Sequence, residues 1–327
     1  MFPAFQIPWK STLSLHSICG MTSLSTSPAS PAARSLPTVL LLALLACYLI
    51  WGSTYLAIQV ALQSFPPFFQ MGTRFLAAGT LLMAWVAWRK PQSGSAPKLP
   101  TKRQWMHALI VGALMLGGGM GLTATASVHV GSGLIAACVA VVPMMIAAWG
   151  LLWGRRPTRG ETVGMLLGAL GVLVLVQGAS FSASPLSMVC ILAATLCWSL
   201  GSVLSTTRFP LADGASGFAS EMLCGGAVLM AVSLALGEKP AWPPRPEALL
   251  AWLYLVTLGS LVGFSAYLYL LRHATPALAS SYAFVNPLIA LLLGSAIAGE
   301  HLTAGEWGAC ALILSAVAAI FVSRRSR

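Results

Sequence analysis

Acid is what this chain has least of: seven Asp and Glu stand against 18 Lys and Arg in 327 residues, and Asp213 is the sole aspartate. Charge of either sign is scarce, at 8% of residues, where a soluble domain carries about 25%. A soluble fold of this length does not hide so much apolar surface. With 57% hydrophobic residues and a mean hydropathy of +0.84, the class is an all-α integral membrane protein. The cysteines at 19, 47, 138, 190, 197, 224 and 310 are odd in number, form no CxxC pair and, Cys19 apart, lie within apolar runs. That argues against a disulfide framework, a metal centre or any cofactor, and for small buried hydrophobes. The glycines of "GGGMG" (117–121) are followed by no Lys-Ser/Thr pair, so direct use of ATP is not supported. The net charge of +11 comes without a basic stripe on a polar helix, so nucleic acid is not an expected partner.

What the chain does have is long apolar runs. Ten of them, near 37–60, 67–88, 104–125, 130–153, 160–178, 185–206, 216–236, 247–271, 277–298 and 303–322, are long enough to cross a bilayer core. Residues 1–36 are polar and rich in Ser and Pro, and they read as a disordered leader in which Met21 is an alternative start. The run "VLLLALLACYLIWGSTYLAI" is too long for a signal-peptide core and lacks a strong positive flank, so it is expected to be retained.

Lys and Arg set the orientation. With both termini in the cytoplasm, the inner segments carry Lys10, Arg34, Arg89, Lys90, Lys98, Lys102, Arg103, Arg155, Arg156, Arg159, Arg208, Arg272, Arg324, Arg325 and Arg327. The outer loops carry only Lys239 and Arg245, and Arg74 lies within a span. This bias matches the positive-inside rule for a bacterial-type inner membrane, and one span more or fewer would scramble it.

The two halves also repeat one another. Trp51 and Arg74 match Trp198 and Glu221 at an offset of 147; "HVGSGLIAACVAVVP" (129–143) matches "HATPALASSYAFVNP" (273–287) at 144; "TRGE" (158–161) matches "TAGE" (303–306) at 145. Five spans per copy is an odd number, so the second copy enters the membrane from the opposite side. Inverted repeats of this kind line a central pathway near the midplane and point to alternating access.

The stretch "IWGSTYLAIQVALQSFPPFFQMGTRFLAAG" resembles the first repeat of EamA-type proteins of the drug/metabolite transporter superfamily. In the second half the resemblance is carried by "TPALASSYAFVNPLIALLLGSAIAGEHLTAGEWGACALILSAVAAI" (275–320), and it is nearest the YedA-like subgroup. The resemblance implies ten helices in two inverted five-helix EamA repeats, here 37–178 and 185–322, followed by a basic cytoplasmic tail at 323–327. It further implies export of small metabolites such as amino acids. One departure stands out: the family's Gly-Glu before the last helix is present as Gly299 and Glu300, whereas the first repeat has "GRRPT" (154–158) with Arg155 in its place.

Arg74 and Glu221 are the leading site candidates, because an ionised side chain at the centre of a span costs about 2.5–3.5 kcal/mol on insertion scales. Each lies some six to eight residues into its span, roughly 10 Å deep from opposite faces. Either they pair and switch during transport, or each faces water, Arg74 attracting a carboxylate and Glu221 an ammonium or a coupling proton. The structural alternative is a pair that docks the repeats. Polar residues of the first span follow: Ser53, Thr54 and Tyr55 after Trp51, and Gln59 within i+4 reach of Tyr55. Tyr267, Tyr282 and Asn286 are the second-half candidates, with Pro287 freeing a carbonyl one turn earlier. His129 and His273 are repeat-related and interfacial, more readily solvated than functional. The glycines of "GGGMG" and "GMLLGALG" (164–171) read as close helix packing.

The expected partners are therefore the lipid bilayer and a small-molecule substrate, with a coupling proton and a homodimer both compatible. The alternative, a membrane-embedded lipid-modifying enzyme, needs a nucleophile with a base, paired carboxylates or a metal cluster. No His/Glu pair has metal spacing inside a span. With the stated orientation, a fluorescent-protein fusion at the C-terminus should be bright. An alkaline-phosphatase fusion between Lys239 and Arg245 should be active, and the converse pattern would reverse the topology.

Overall fold

The computed structural model describes residues 38–88, 99–130, 132–176, 185–298 and 304–325, and within these every regular element is a helix. The leader 1–36, Arg89, Lys90, Lys98, the linker 179–184, the Gly299–Glu300 pair and Arg327 at the end of the basic tail lie outside the described residues.

In chain order the helices are α1 (Thr38–Ala61), α2 (Pro67–Trp88), α3 (Lys102–Ala126), α4 (Ser132–Val139), α5 (Val142–Leu152), α6 (Arg159–Val176), α7 (Pro185–Thr206), α8 (Ala215–Ala235), α9 (Pro246–His273), α10 (Pro276–Ser280), α11 (Tyr282–Ala298) and α12 (Ala304–Arg325). Among the described residues, α1, α3, α7, α8 and α9 are each long and apolar enough to cross a bilayer. Helix α1 shows what that composition does. Leu40, Ala43, Leu44 and Cys47 are buried against protein, while the equally apolar Leu41, Leu42, Leu45 and Leu49 face outward. A helix apolar on every side suits lipid on one face and protein on the other.

Local signals place several helix starts. Thr101 and Gln104 form a reciprocal capping box on α3, the Gln104 amide donating to Thr101 Oγ1 and Gln104 Oε1 accepting from the Thr101 amide. Proline opens α9 and α10 in their first turns, where its missing N–H is harmless. Helix α2 is capped from afar: the Phe68 and Phe69 amides donate to the two carboxylate oxygens of Glu238 at 3.2 and 2.7 Å. That carboxylate meets the positive end of the helix dipole and ties the loop after α8 to the start of α2.

Two expected spans are not single helices. The 130–153 segment breaks at residues 140–141, between α4 and α5, just ahead of Pro143. Proline supplies no N–H for the preceding turn and crowds the residue before it. The 277–298 segment turns at Ser281, between α10 and α11, whereas Pro287 is carried inside α11. Two other spans are continuous but widen into π-helical turns, at Ala113–Gly121 in α3 and Leu255–Val262 in α9. These wide turns fall at corresponding places in the two halves.

The packing repeats the same correspondence. Helix α2 packs on α8 and α6 on α12; α3 packs on α7 as α1 packs on α9. The α2–α8 contact runs antiparallel: Gly72 lies beside Met230, Leu76 beside Gly226 and Gly79 beside Leu223. Helices α6 and α12 do the same, with Gly160 beside Ser323, Gly164 beside Ile320 and Gly171 beside Ile313. Lipid is as apolar as leucine, so close van der Waals packing over small residues must hold these pairs together.

At Gly226 the approach is to backbone. A Cβ there would stand 2.9 Å from the Leu76 amide nitrogen and 3.2 Å from the Gly72 carbonyl oxygen. Gly308 in α12 has nothing within 4 Å of the same position. Gly226→Ala should therefore cost about 1–3 kcal/mol through overpacking. Gly308→Ala should be neutral or gain up to about 1 kcal/mol of helix propensity. The thermal midpoints of the detergent-solubilised variants check the contrast, and equal midpoints would refute the close contact.

Candidate functional site

Five rings meet where the halves join. Trp51 lies 5.6 Å, edge to face, from Trp198, 4.9 Å from Tyr282, 5.1 Å from Tyr267 and 5.8 Å from Phe264. Trp198 in turn contacts Phe264 and Tyr267, and Tyr267 contacts Tyr282. Such pairs contribute about 0.5–1.5 kcal/mol each beyond area burial. The two tryptophans that correspond by sequence thus touch at the centre. Trp51 Nε1 donates to the Gly259 carbonyl at 3.2 Å, which ties α1 to the π-helical part of α9.

Above this cluster lies a cavity of about 50 Å³, lined by Trp51, Thr54, Tyr55 and Ile58 of α1, Arg74 of α2, Gly119, Met120 and Thr123 of α3, Val139 and Val142, Ala194, Thr195 and Trp198 of α7, Phe264 and Tyr282. Its walls are apolar and aromatic apart from three threonines, the Tyr hydroxyls and one guanidinium. On the other side of the rings a wider cavity of about 760 Å³ opens between the end of α5, the start of α6, the end of α9 and α10. Arg155, Arg156, Arg272 and His273 give that second cavity a basic lining, and a side pocket shares Arg155 and Arg272 with it. The layer between the two is sealed by hydrogen bonds as well as rings: the Tyr48 hydroxyl with Ser281 Oγ at 2.7 Å and Ser202 Oγ with the Tyr267 hydroxyl at 2.9 Å.

Arg74 is 1% exposed and has no carboxylate partner among the described residues. Among the described residues the salt bridge is Arg272 with Asp213, at 3.6 Å. Arg74 Nε donates to Ser260 Oγ at 2.7 Å, one Nη to the weak acceptor Met71 Sδ at 3.7 Å, and the guanidinium lies 4.8 Å over the Phe75 ring. A guanidinium has five N–H donors, so most of its capacity is left at the cavity wall. An anion entering the cavity would be the strongest partner available to it.

Glu221 does not meet Arg74. The α2–α8 register places it about seven residues further along, roughly 10 Å at 1.5 Å per residue. It is fully buried, lines neither cavity and has no hydrogen-bond partner on either carboxyl oxygen. The pairing left open by the sequence is therefore absent in this conformation.

The other candidates divide in the same way. Trp51, Thr54, Tyr55 and Tyr282 line the smaller cavity, and Tyr267 sits beneath it. Asn286 is buried beside the Tyr55 hydroxyl, with neither amide atom in a hydrogen bond of normal geometry. Ser53 turns to α9 instead, bonding its own helix carbonyls and the Tyr254 hydroxyl. Gln59, expected to reach Tyr55, donates to the Val130 carbonyl at 2.9 Å and braces the turn before α4. His129 is exposed, and His273 stacks on Tyr269 at 4.1 Å. No signal in the chain marks Ser260, Phe264, Thr123 or Thr195, which sit unremarkably in apolar runs.

Comparison with known proteins places these features in a family. The model of the EamA-like transporter family matches the chain twice, over residues 38–177 and 185–322. The inner membrane transporter YedA of Escherichia coli (strain K12) is 39% identical over 283 residues, covering 86% of this chain and 90% of the relative. Protein PecM of Dickeya dadantii is 24% identical, covering 82% of this chain and 87% of that protein. A solved crystal structure shares the fold at a TM-score of 0.68 and 21% identity, over 88% of this chain and 98% of its own.

Ser260→Ala removes the one strong acceptor of Arg74 among the described residues, and a hydrogen bond to a charged group contributes about 1.5–3 kcal/mol. The thermal midpoint of Ser260→Ala should fall, and in an Arg74→Ala background the same substitution should have little further effect. Additive losses in that double-mutant cycle would show that the two side chains act independently.

Proposed function

This chain belongs to the EamA-like transporter family, and on that premise we propose that it exports small carboxylate-bearing metabolites such as amino acids across a bacterial inner membrane. It does so as a secondary transporter, by alternating access between two inverted repeats of five spans. The observation that carries the substrate chemistry is Arg74: a buried guanidinium without a carboxylate partner among the described residues, at the wall of an aromatic cavity where the two halves meet.

The two family matches, the packing that survives exchange of the halves and the antiparallel α2–α8 and α6–α12 contacts all support the inverted layout. Ten spans with both termini inside agree with the distribution of Lys and Arg. The name of the relative YedA, an inner membrane transporter, supports the same location. A cavity of about 50 Å³ holds a few waters. Ligand pockets run to about 300–1,000 Å³, so loading requires α1, α3 and α7 to part, and release requires the ring layer to open toward the other face. Helix breaks at Pro143 and Ser281 and the two π-helical segments are the places where such movement costs least. The basic second cavity, on the face assigned to the cytoplasm, would gather anions before they enter.

Extracellular metabolite profiles should show at least one carboxylate accumulating several-fold outside cells that overproduce the protein. That accumulation should be lost in Arg74→Ala cells making equal amounts of inserted protein. Equal accumulation from both would keep export and reduce Arg74 to a packing role. No accumulation from correctly inserted protein would refute export.

A further inference from the structure

Glu221 has a role that the carboxylate site does not use. We propose that Glu221 is a proton-binding site, holding its proton in this conformation and releasing it when α3 moves and the second cavity reaches α8. The coupling of that proton to transport rests on the reading above; the site itself does not.

The geometry begins with burial. Both carboxyl oxygens are shielded and neither has a donor among the described residues. A carboxylate in that setting would lose its hydration with nothing in return, whereas a neutral carboxylic acid loses far less. The surrounding charged and titratable groups do not change this. Arg74 of α2 is bound to Ser260 some way along the helix contact. His107 of α3 is occupied at Nδ1 by the Pro210 carbonyl at 2.8 Å, and Lys102 and Arg103 are exposed at that helix's start. Cys224 follows on α8 itself and approaches the Trp105 carbonyl. Arg272 lies in the last turn of α9, which packs on α8. Its guanidinium is held by the Ala212 carbonyl at 2.7 Å and by Asp213.

Position then links the acid to movement. Helices α3 and α8 touch backbone to backbone at this level: a Cβ on Gly112 would lie 2.8 Å from the Glu221 carbonyl and 2.9 Å from the Gly225 nitrogen. Residue 113 begins the π-helical segment of α3, the same helix that walls the smaller cavity at Gly119 and Thr123. The repeat-equivalent glycine 147 residues on, Gly259, lies against the Arg74 guanidinium rather than against its backbone. One corner of the repeat carries a fixed cation and its counterpart an acid that must be neutral. When α3 shifts, water from the second cavity reaches the carboxyl. The O–H bond breaks, the proton passes to that water, and the carboxylate left behind is met by the Arg272 guanidinium.

Infrared difference titration of the full-length protein in lipid nanodiscs tests the site without a substrate. The carbonyl band of a protonated carboxyl should disappear on alkalinisation in the unmodified protein and in Arg74→Lys, and be absent from Glu221→Gln. Tryptophan fluorescence, which includes the Trp51–Trp198 cluster, should change with the same midpoint and become flat in Glu221→Gln. A band that persists in Glu221→Gln, or fluorescence indifferent to the carboxyl's titration, would overturn the proposal. If Glu221→Gln does not fold, Glu221→Asp must shift the shared midpoint, and an unmoved midpoint overturns it equally. An intact titration in a protein that exports nothing would strike the transport reading alone.

Discussion

At the middle of the molecule Trp51 and Trp198 stand edge to face, 5.6 Å apart, one from each half of the chain. Equivalent side chains can touch in this way only where the two halves meet. From that contact the surroundings follow: Tyr267, Tyr282 and Phe264 close around it, the small cavity takes the rings as its floor, and the larger basic cavity lies beyond them. Trp51, Trp198, Phe264 and Tyr282 line the smaller cavity, and no ring of the cluster lines the larger one. Hydrogen bonds at Tyr48–Ser281 and Ser202–Tyr267 add direction to a layer that dispersion alone would leave free to slide.

The second organising constraint is charge in a place without water. Repeat-equivalent positions 74 and 221 carry opposite signs, and a mutual salt bridge would be the cheapest arrangement for both. The antiparallel register of α2 and α8 keeps them about seven residues apart. Arg74 is held by one serine, a sulfur and an aromatic face, and Glu221 by nothing. The repeat-equivalent positions thereby have different surroundings, each beside a glycine that lets a neighbouring helix come close.

Much of this was legible in the chain itself. Apolar run lengths and the Lys/Arg bias are statements about solvation in lipid, and they need no knowledge of packing. The resemblance between halves was visible at Trp51 and Trp198, at His129 and His273, and at Pro143 and Pro287. Side-chain direction was harder to read. Ser53 and Thr54 are neighbours on α1, yet one faces Tyr254 and the other the cavity. Gln59 lies one turn from Tyr55, but its long amide reaches the Val130 carbonyl. Neither choice can be made from a helix whose every face is apolar, because no polar stripe marks which side meets protein. The glycine run at 117–121 did signal close packing, though not the π-helical turn that Ala113–Gly121 adopts.

By itself, then, the sequence determined a membrane-embedded helical chain, its duplicated plan and its family, since hydrophobic length and internal repetition are properties of the linear order of residues. Only the tertiary structure decided that the equivalent tryptophans touch, that Arg74 borders the smaller cavity while Glu221 is shut away, that Phe264, Thr123 and Thr195 line that cavity and that Ser260 holds Arg74. Those facts depend on the register at which helices far apart in the chain meet. In lipid that register is set by the fit of small residues against backbone, which no local pattern records.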